Sequence, residues 1–271
     1  MSFFLICWFK NVNSIFLEVK IFLSKTLFPQ KPKFINMLGS EGSRPQTIFE
    51  VLGITILSLL ISLGLGVIFL FTLAVLGYGI ETTFALAGAT ILGQFGFLGL
   101  AYIYIKKREV DVPFDTPTRT DMKYVFGGTI TALMIAVVLS QILSYLGLMP
   151  ESVIEEIAET SPIFLIVLAI SSLVLIAPAE ELLFRGAIQG RLKEHFSSFS
   201  AIVIASILFG SLHLFNYAGD ILSIIMTTLV IVVIGGILGF LYERTQNLYV
   251  PILAHGIYNF VLLIPGYFAL V

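Results

Sequence analysis

The sequence is poor in charged residues and in cysteine. Only 12% of its 271 residues are charged, against about 25% in a typical soluble domain. Such a chain has too little polar surface to cover a water-soluble globule, so lipid must be its solvent. Its one cysteine, Cys7, excludes a disulfide framework and a cysteine-based metal site. A basic tail and a basic–aromatic patch are also missing, so nothing indicates a nucleic-acid partner.

Long apolar runs are abundant instead. A helix that crosses a membrane needs about 20 mostly apolar residues. Seven runs qualify, and the fourth continues as an amphipathic extension to about residue 193. The sequence therefore predicts an all-α membrane protein, a bundle of about seven transmembrane helices with short amphipathic helices. The predicted spans are 48–76, 80–105, 124–147, 162–184, 198–217, 221–242 and 249–270.

The basic residues predict the orientation. All 15 Lys and Arg residues lie in the N-terminal segment or in the regions that follow spans 2, 4 and 6. Basic loops stay in the cytoplasm. We therefore expect a multi-pass protein of the cell membrane with a cytoplasmic N-terminus. The acidic outer segment 151–159 is predicted to form a short amphipathic helix at the surface.

The chain is expected to divide into three parts. Residues 1–36 hold two apolar runs that are too short to span, and two interpretations remain open. They form an interfacial segment, or translation begins at Met37 and they are not native. Residues 37–123 contain the first two spans and a cytosolic loop. Residues 124–271 contain the other five spans and the polar residues described next.

Ionisable residues at membrane depth cluster in three spans. Such residues cost a few kcal/mol to insert, which makes them candidates for function. Span 4 carries Glu180 and Glu181, span 5 carries His213, and span 7 carries His255. Glu180 and His213 are equally far from the polar turn between spans 4 and 5, so in an antiparallel hairpin they lie at similar height. This pattern predicts one shared polar site.

The two glutamates are expected to differ. Glu181 and Arg185 are spaced i, i+4 on one helix face, which favours a structural ion pair. Glu180 lies about 100° around the helix and is free to face another neighbour. Pro178 removes a backbone hydrogen bond and should kink or locally open this helix.

The histidine motifs have structural alternatives. A buried His213 is commonly a satisfied hydrogen-bonding residue, but here it shares its height with a carboxylate. His255 and Asn259 lie one turn apart on one face, where they could bind an oxyanion or form an interhelical polar clamp. Three glycines of span 6 are expected to allow close helix packing: Gly235, Gly236 and Gly239.

Three motifs occur in order: Glu-Glu-x-x-x-Arg at 180–185, Phe-x-x-x-His at 209–213 and His-x-x-x-Asn at 255–259. Together they resemble the CPBP intramembrane proteases, the CAAX-processing, Rce1-like and bacteriocin-processing group, over about residues 124–271. The resemblance implies an endopeptidase that acts on prenylated CaaX-type or other membrane-associated protein substrates.

The resemblance also implies a role for each motif residue. Glu180 would be the general base that activates water, with His213 beside that water. His255 and Asn259 would form the oxyanion site, and Glu181 with Arg185 would support the geometry.

A metal ion is the less favoured interpretation. Glu180, His213 and His255 could bind zinc as an open three-ligand site. The histidines lie on separate helices, however, and not at the spacing of a His-Glu-x-x-His motif. We therefore predict no metal and no other cofactor.

Two other function classes remain. The first is a non-catalytic membrane scaffold or bacteriocin immunity protein that kept the polar clamp. The second is a proton-coupled transporter, because buried Glu and His residues also form proton relays. A transporter would favour internal repeats, and the sequence shows none.

Overall fold

The computed structural model describes residues 42–271, so the predicted segment 1–36 and the alternative start at Met37 lie outside the described residues. Within this range the chain forms eight helices and one short pair of strands. They are α1 (Arg44–Val75), α2 (Thr83–Arg108), α3 (Arg119–Tyr145), β1 (Glu151–Ser152), α4 (Val153–Thr160), α5 (Ile163–Lys193), α6 (Ser198–Asn216), β2 (Tyr217–Ala218), α7 (Ile221–Thr245) and α8 (Tyr249–Leu270).

The seven predicted spans are confirmed. All the described helices except α4 are long and apolar enough to cross a membrane. The largest shift is at α3, which begins five residues earlier than predicted because Thr118 and Asp121 form a capping box. Hydropathy does not detect such a cap. The predicted division of the chain at residue 123 stays a prediction; α3 runs through it.

Apolar side chains cover the outside of the bundle. Large hydrophobic residues of α1 are more than half exposed, among them Ile68 and Phe71, and the same holds for Met134 of α3. Contiguous apolar surface of this extent needs an apolar solvent, and helices satisfy their backbone hydrogen bonds internally in lipid. The chain is a multi-pass integral membrane protein.

Helix α5 contains two π-helical stretches. Residues Ser172–Ile176 and Leu182–Gln189 are π-helical, and the α-helical turn Ala177–Glu181 lies between them. Pro178 cannot donate its backbone hydrogen bond, and the wider π turn before it accommodates the proline ring. The locally opened helix predicted at Pro178 is present.

The inner end of α5 extends as predicted. The helix continues to Lys193, and all eight residues of Leu182–Gln189 are buried. Helices α2 and α6 pack against this stretch, and the α2–α3 loop contributes the buried Val110 and Val112 beside it. The extension is thus part of the protein core. The sequence did not indicate this burial, because the polar side chains of the stretch pair inside the bundle.

Ion pairs join four helices at one end of the bundle. Glu50 of α1 contacts Arg108 of α2 at 2.5 Å and Arg191 of α5 at 3.0 Å. Lys193 of α5 contacts Glu243 of α7 at 2.8 Å. These contacts bring basic residues from regions far apart in the sequence to the same end.

The loops at the opposite end are also joined. Strands β1 and β2 pair antiparallel, with Glu151 opposite Ala218 and Ser152 opposite Tyr217. Helix α4 follows β1, which confirms the short acidic helix predicted for 151–159. Burial, together with the nearby Glu155 carboxylate, raises the pKa of the Tyr217 phenol.

Two apolar clusters hold the helices that carry the polar residues. One joins α3, α7 and α8 around Val125, Leu238 and Val250. The other joins α2 and α5 around Phe164 and Leu168, with α8 packed against it. Helix α8 therefore contacts both clusters, which fixes its rotation relative to α5.

The predicted packing role of the glycines in α7 holds for two of three. A Cβ at Gly235 would lie 3.1 Å from Phe209, and one at Gly239 would lie 2.9 Å from Gln189. Gly236 was expected to do the same, and this is wrong. A Cβ there would meet only Ser206 Oγ at 4.0 Å, because Gly236 faces outward on the helix.

We expect Gly210→Ala to destabilise the protein and Gly236→Ala to leave it as stable as the wild type or slightly more stable. A Cβ at Gly210 would lie 2.5 Å from Val232 Cγ2 and 3.3 Å from the Val232 backbone nitrogen. Overpacking of this kind costs about 1–3 kcal/mol. Both variants gain the same helix propensity, so the difference between their thermal unfolding midpoints in detergent reports the packing term. Equal midpoints would contradict the close approach of α6 and α7.

Candidate functional site

Glu180 and Glu181 occupy the single α-helical turn between the two π stretches of α5. Their surroundings differ. The Glu181 side chain is fully buried, whereas the Glu180 side chain keeps 12% of its accessible surface. π stretches inside helices are frequent at functional sites. One carboxylate is thus held inside the bundle and its neighbour can be reached.

Glu181 connects two helices. One of its carboxylate oxygens lies 3.0 Å from Arg185 Nε, and the other accepts a hydrogen bond of 2.9 Å from His255 Nδ1. The predicted Glu181–Arg185 pair is therefore present. The bond to His255 is new, because the sequence predicted no partner for Glu181 outside its own helix.

Arg185 is fully buried with few partners. Its contact with Glu181 is an ion pair and not a well-aligned hydrogen bond, and within residues 42–271 neither Nη atom has a hydrogen-bond partner. The guanidinium carbon lies 5.2 Å from the centre of the Phe209 ring, a favourable cation–π distance. Glu181 is thus the carboxylate that directly balances a buried positive charge.

The partners of the two histidines determine which ring nitrogen carries a proton. A carboxylate only accepts, so His255 Nδ1 is protonated towards Glu181. The Phe209 carbonyl likewise only accepts, so His213 Nδ1 is protonated towards it, at 3.0 Å. In the neutral form of each ring, Nε2 is the basic nitrogen. His255 Nε2 lies 3.9 Å from Glu180 Oε2.

The Phe209 ring lies at the centre of the cluster. It contacts Phe184 at 5.2 Å, His213 at 4.8 Å and His255 at 5.7 Å between ring centres. The sequence indicated only an aromatic residue one turn before a histidine. Phe209 was not among the predicted site residues. Its contacts with the two histidines and with Arg185 show that it sets their relative positions.

The structure brings most of the predicted site residues together. Glu180, Glu181, Arg185 and His255 are in direct or near contact, and His213 joins them through Phe209. Two of the predicted site features show no direct contact, namely the Glu180–His213 pair and the Asn259 side chain. Among the described residues Glu180 and His213 form no ion pair or hydrogen bond with each other, and the half-buried Asn259 side chain has no hydrogen-bond partner.

Metal ligation finds no support from side-chain placement. In the part of the chain that the structure describes, no three His, Cys, Asp or Glu side chains converge closely enough to hold a metal ion. The two histidine Nε2 atoms and Glu180 are the donors that such a site would require.

Residues 162–261 match the family described as type II CAAX prenyl endopeptidase Rce1-like. We name this matched stretch, which is similar to that family, the Rce1-like region. The Rce1-like region begins at α5 and contains all the predicted site residues, as well as Phe209. Helix α3 lies outside it.

Two Bacillus subtilis (strain 168) proteins are similar to this chain. One, named "Uncharacterized protein YpbD", is 41% identical over 87 residues, which is 32% of this chain and 39% of that protein. The other, named "Putative membrane peptidase YdiL", is 33% identical over 104 residues, or 38% of this chain and 37% of that protein. The chain thus matches well under half the length of these relatives. No solved structure matches it significantly.

Proposed function

We propose that this protein is an intramembrane endopeptidase that hydrolyses peptide bonds of membrane-associated proteins with a water molecule activated by Glu180. The observation that carries the proposal is the pairing of a reachable carboxylate with an oriented histidine. His255 Nε2 lies 3.9 Å from Glu180, and its other nitrogen is held by the buried Glu181. This pairing lies within the Rce1-like region.

The two glutamates have different roles. Both oxygens of Glu181 are engaged, one by Arg185 and one by His255. Glu181 therefore cannot take a proton from water without losing one of these partners. Glu180 is partly accessible, and His255 Nε2 at 3.9 Å is beyond hydrogen-bond distance. Glu180 is the carboxylate that is free to act as general base.

The reaction follows general acid–base chemistry. Glu180 takes a proton from water as the water oxygen bonds to the substrate carbonyl carbon. The resulting oxyanion is stabilised by nearby donors. Glu180 then gives the proton to the departing amine as the C–N bond breaks.

The histidines assist in ways that follow from their hydrogen bonds. Because Nδ1–H of His255 points to Glu181, Nε2 can donate to an oxyanion only when the ring is doubly protonated. The Glu181 carboxylate at 2.9 Å holds the ring in the orientation that this donation requires. Asn259 lies one turn further along α8 and offers an amide donor. His213 Nε2 is available to orient the water.

The proposed substrates are prenylated CaaX-type proteins. The name of the matched family supports this class, and we propose that an apolar tail enters the site from the bilayer between helices. The N-terminus is proposed to be cytoplasmic, because the basic residues Arg108, Arg191 and Lys193 lie at one end of the bundle.

The test follows cleavage of a quenched fluorescent CaaX peptide, farnesylated or bare, by the purified protein in detergent. We expect cleavage of the farnesylated peptide, slower cleavage of the bare one, and no effect of a metal chelator. Glu180→Ala serves as the inactive control.

Three outcomes would change the proposal. Equal cleavage of both peptides would remove the prenyl requirement. Loss of activity with chelator, restored by zinc, would favour the metal site of Glu180, His213 and His255. No cleavage of either peptide by folded protein would contradict this substrate class and favour first another membrane-associated substrate and then the non-catalytic scaffold.

A further inference from the structure

A groove of about 470 Å³ lies between α3 and α7, on the outside of the bundle. Its volume is within the range of about 300–1,000 Å³ found for small-molecule sites. The α3 wall includes Lys123, Gly127 and Thr131, and the α7 wall includes Gly236 and Phe240. None of the predicted catalytic residues lines it.

Glycine keeps this groove open. A Cβ at Gly127 would meet nothing within 4 Å, and one at Gly236 would meet only Ser206 Oγ at 4.0 Å. Gly128, the next residue, is different, since its Cβ would lie 2.5 Å from Leu241. Gly128 therefore serves helix packing, whereas Gly127 and Gly236 border space that the chain itself does not fill.

Positive charge lies at the inner mouth of the groove. Lys123 is one helical turn before Gly127 on α3, and Arg244 is one turn after Phe240 on α7. Both side chains are exposed. Within the described residues neither forms an ion pair or hydrogen bond.

Two acidic residues that adjoin these cations in the sequence are already engaged. Glu243 contacts Lys193 and accepts a hydrogen bond from Ser198, each at 2.8 Å. Asp121 accepts from the Thr118 backbone at 2.8 Å in the cap of α3. The mouth of the groove therefore carries two cations, one from each wall, that form no ion pair within the described residues.

We propose that this groove binds one anionic phospholipid, with an acyl chain against Gly127 and Gly236 and the phosphate between Lys123 and Arg244. Phosphate oxygens accept charge-assisted hydrogen bonds from Lys and Arg, and basic pockets between transmembrane helices bind anionic headgroups. The groove opens to the bilayer, so the lipid enters without any movement of the protein. The bound lipid would join α3 to α7.

The experiment is native mass spectrometry of the full chain released from micelles that contain equal amounts of phosphatidylglycerol and phosphatidylcholine. We expect one retained lipid, with phosphatidylglycerol preferred by roughly 25-fold, because each of the two basic residues contributes about fivefold near an anionic headgroup. Lys123→Gln with Arg244→Gln should abolish the preference. Gly127→Phe fills the groove and should abolish retention of either lipid.

Matched controls separate this site from general effects. Lys106→Gln with Lys107→Gln removes the same charge from the α2 end, and Gly53→Phe adds the same ring to an open position on α1. Both should retain the lipid and its preference. A wild-type protein without preference for phosphatidylglycerol, or controls that lose it as fully as the groove variants, would overturn the proposal. The assay needs no peptidase activity, so its outcome is independent of the proposed function.

Discussion

Glu180→Gln should remove nearly all peptidase activity and leave the protein as stable as the wild type. Glutamine has the same shape and still forms hydrogen bonds, but it cannot take a proton from water. Loss of a general base lowers the rate by about 10²–10⁴-fold. The carboxylate lies 3.9 Å from His255 Nε2 and forms no hydrogen bond within the described residues, so the amide replaces it without loss of a direct partner.

The measurement pairs kcat/KM on the cleaved peptide with a thermal unfolding midpoint for the same preparation. Glu159→Gln makes the same chemical change on the exposed face of α4 and should alter neither quantity. Activity above a tenth of wild type in Glu180→Gln would contradict the role of Glu180 as general base. A large fall in the unfolding midpoint would instead assign it a structural role.

Glu181→Leu should destabilise the protein by about 3–5 kcal/mol, which is the usual cost of leaving a buried charge without its partner. Arg185 is fully buried, and within the described residues its Nη atoms have no hydrogen-bond acceptor. Water cannot reach the guanidinium to compensate. His255 would also lose the acceptor of its Nδ1–H.

A double variant tests whether the unbalanced charge of Arg185 causes this destabilisation. Glu181→Leu with Arg185→Met removes both charges, and replacement of a buried ion pair by apolar residues is often neutral or stabilising. We expect its unfolding midpoint to recover most of the loss, while activity stays low because His255 is no longer held. The adjacent Glu180→Leu is the matched control, with a stability change of about 1 kcal/mol or less. A double variant as unstable as Glu181→Leu would show that charge balance is not what Glu181 supplies.

Glu180 and Glu181 are adjacent in the sequence, and the sequence predicted only part of the difference between their roles. The i, i+4 spacing predicted the ion pair of Glu181 with Arg185, because that relation depends on the geometry of a single helix. The hydrogen bond from His255 to Glu181 joins residues 74 positions apart. Such a contact depends on how α8 is rotated and how deep it sits against α5, and no local pattern encodes either.

Packing between helices also explains the other differences between the sequence predictions and the structure. The sequence predicted Phe209 as part of a motif but not as the ring between both histidines and Arg185. It treated Gly235 and Gly236 alike, although they face opposite surroundings. It also predicted an amphipathic end for α5, which packing against α2 and α6 buries.

The sequence by itself determined the seven membrane spans, the one-sided basic residues and the spans that carry ionisable groups. These are local properties, since in lipid each helix must satisfy its own backbone and present apolar side chains over its whole length. The tertiary structure alone decided which carboxylate is buried and which is reachable, how the histidine tautomers are held, and where the bundle leaves a groove. The physical reason is that each of these depends on distances between helices, which are set by side-chain packing across the bundle and not by the periodicity of one segment.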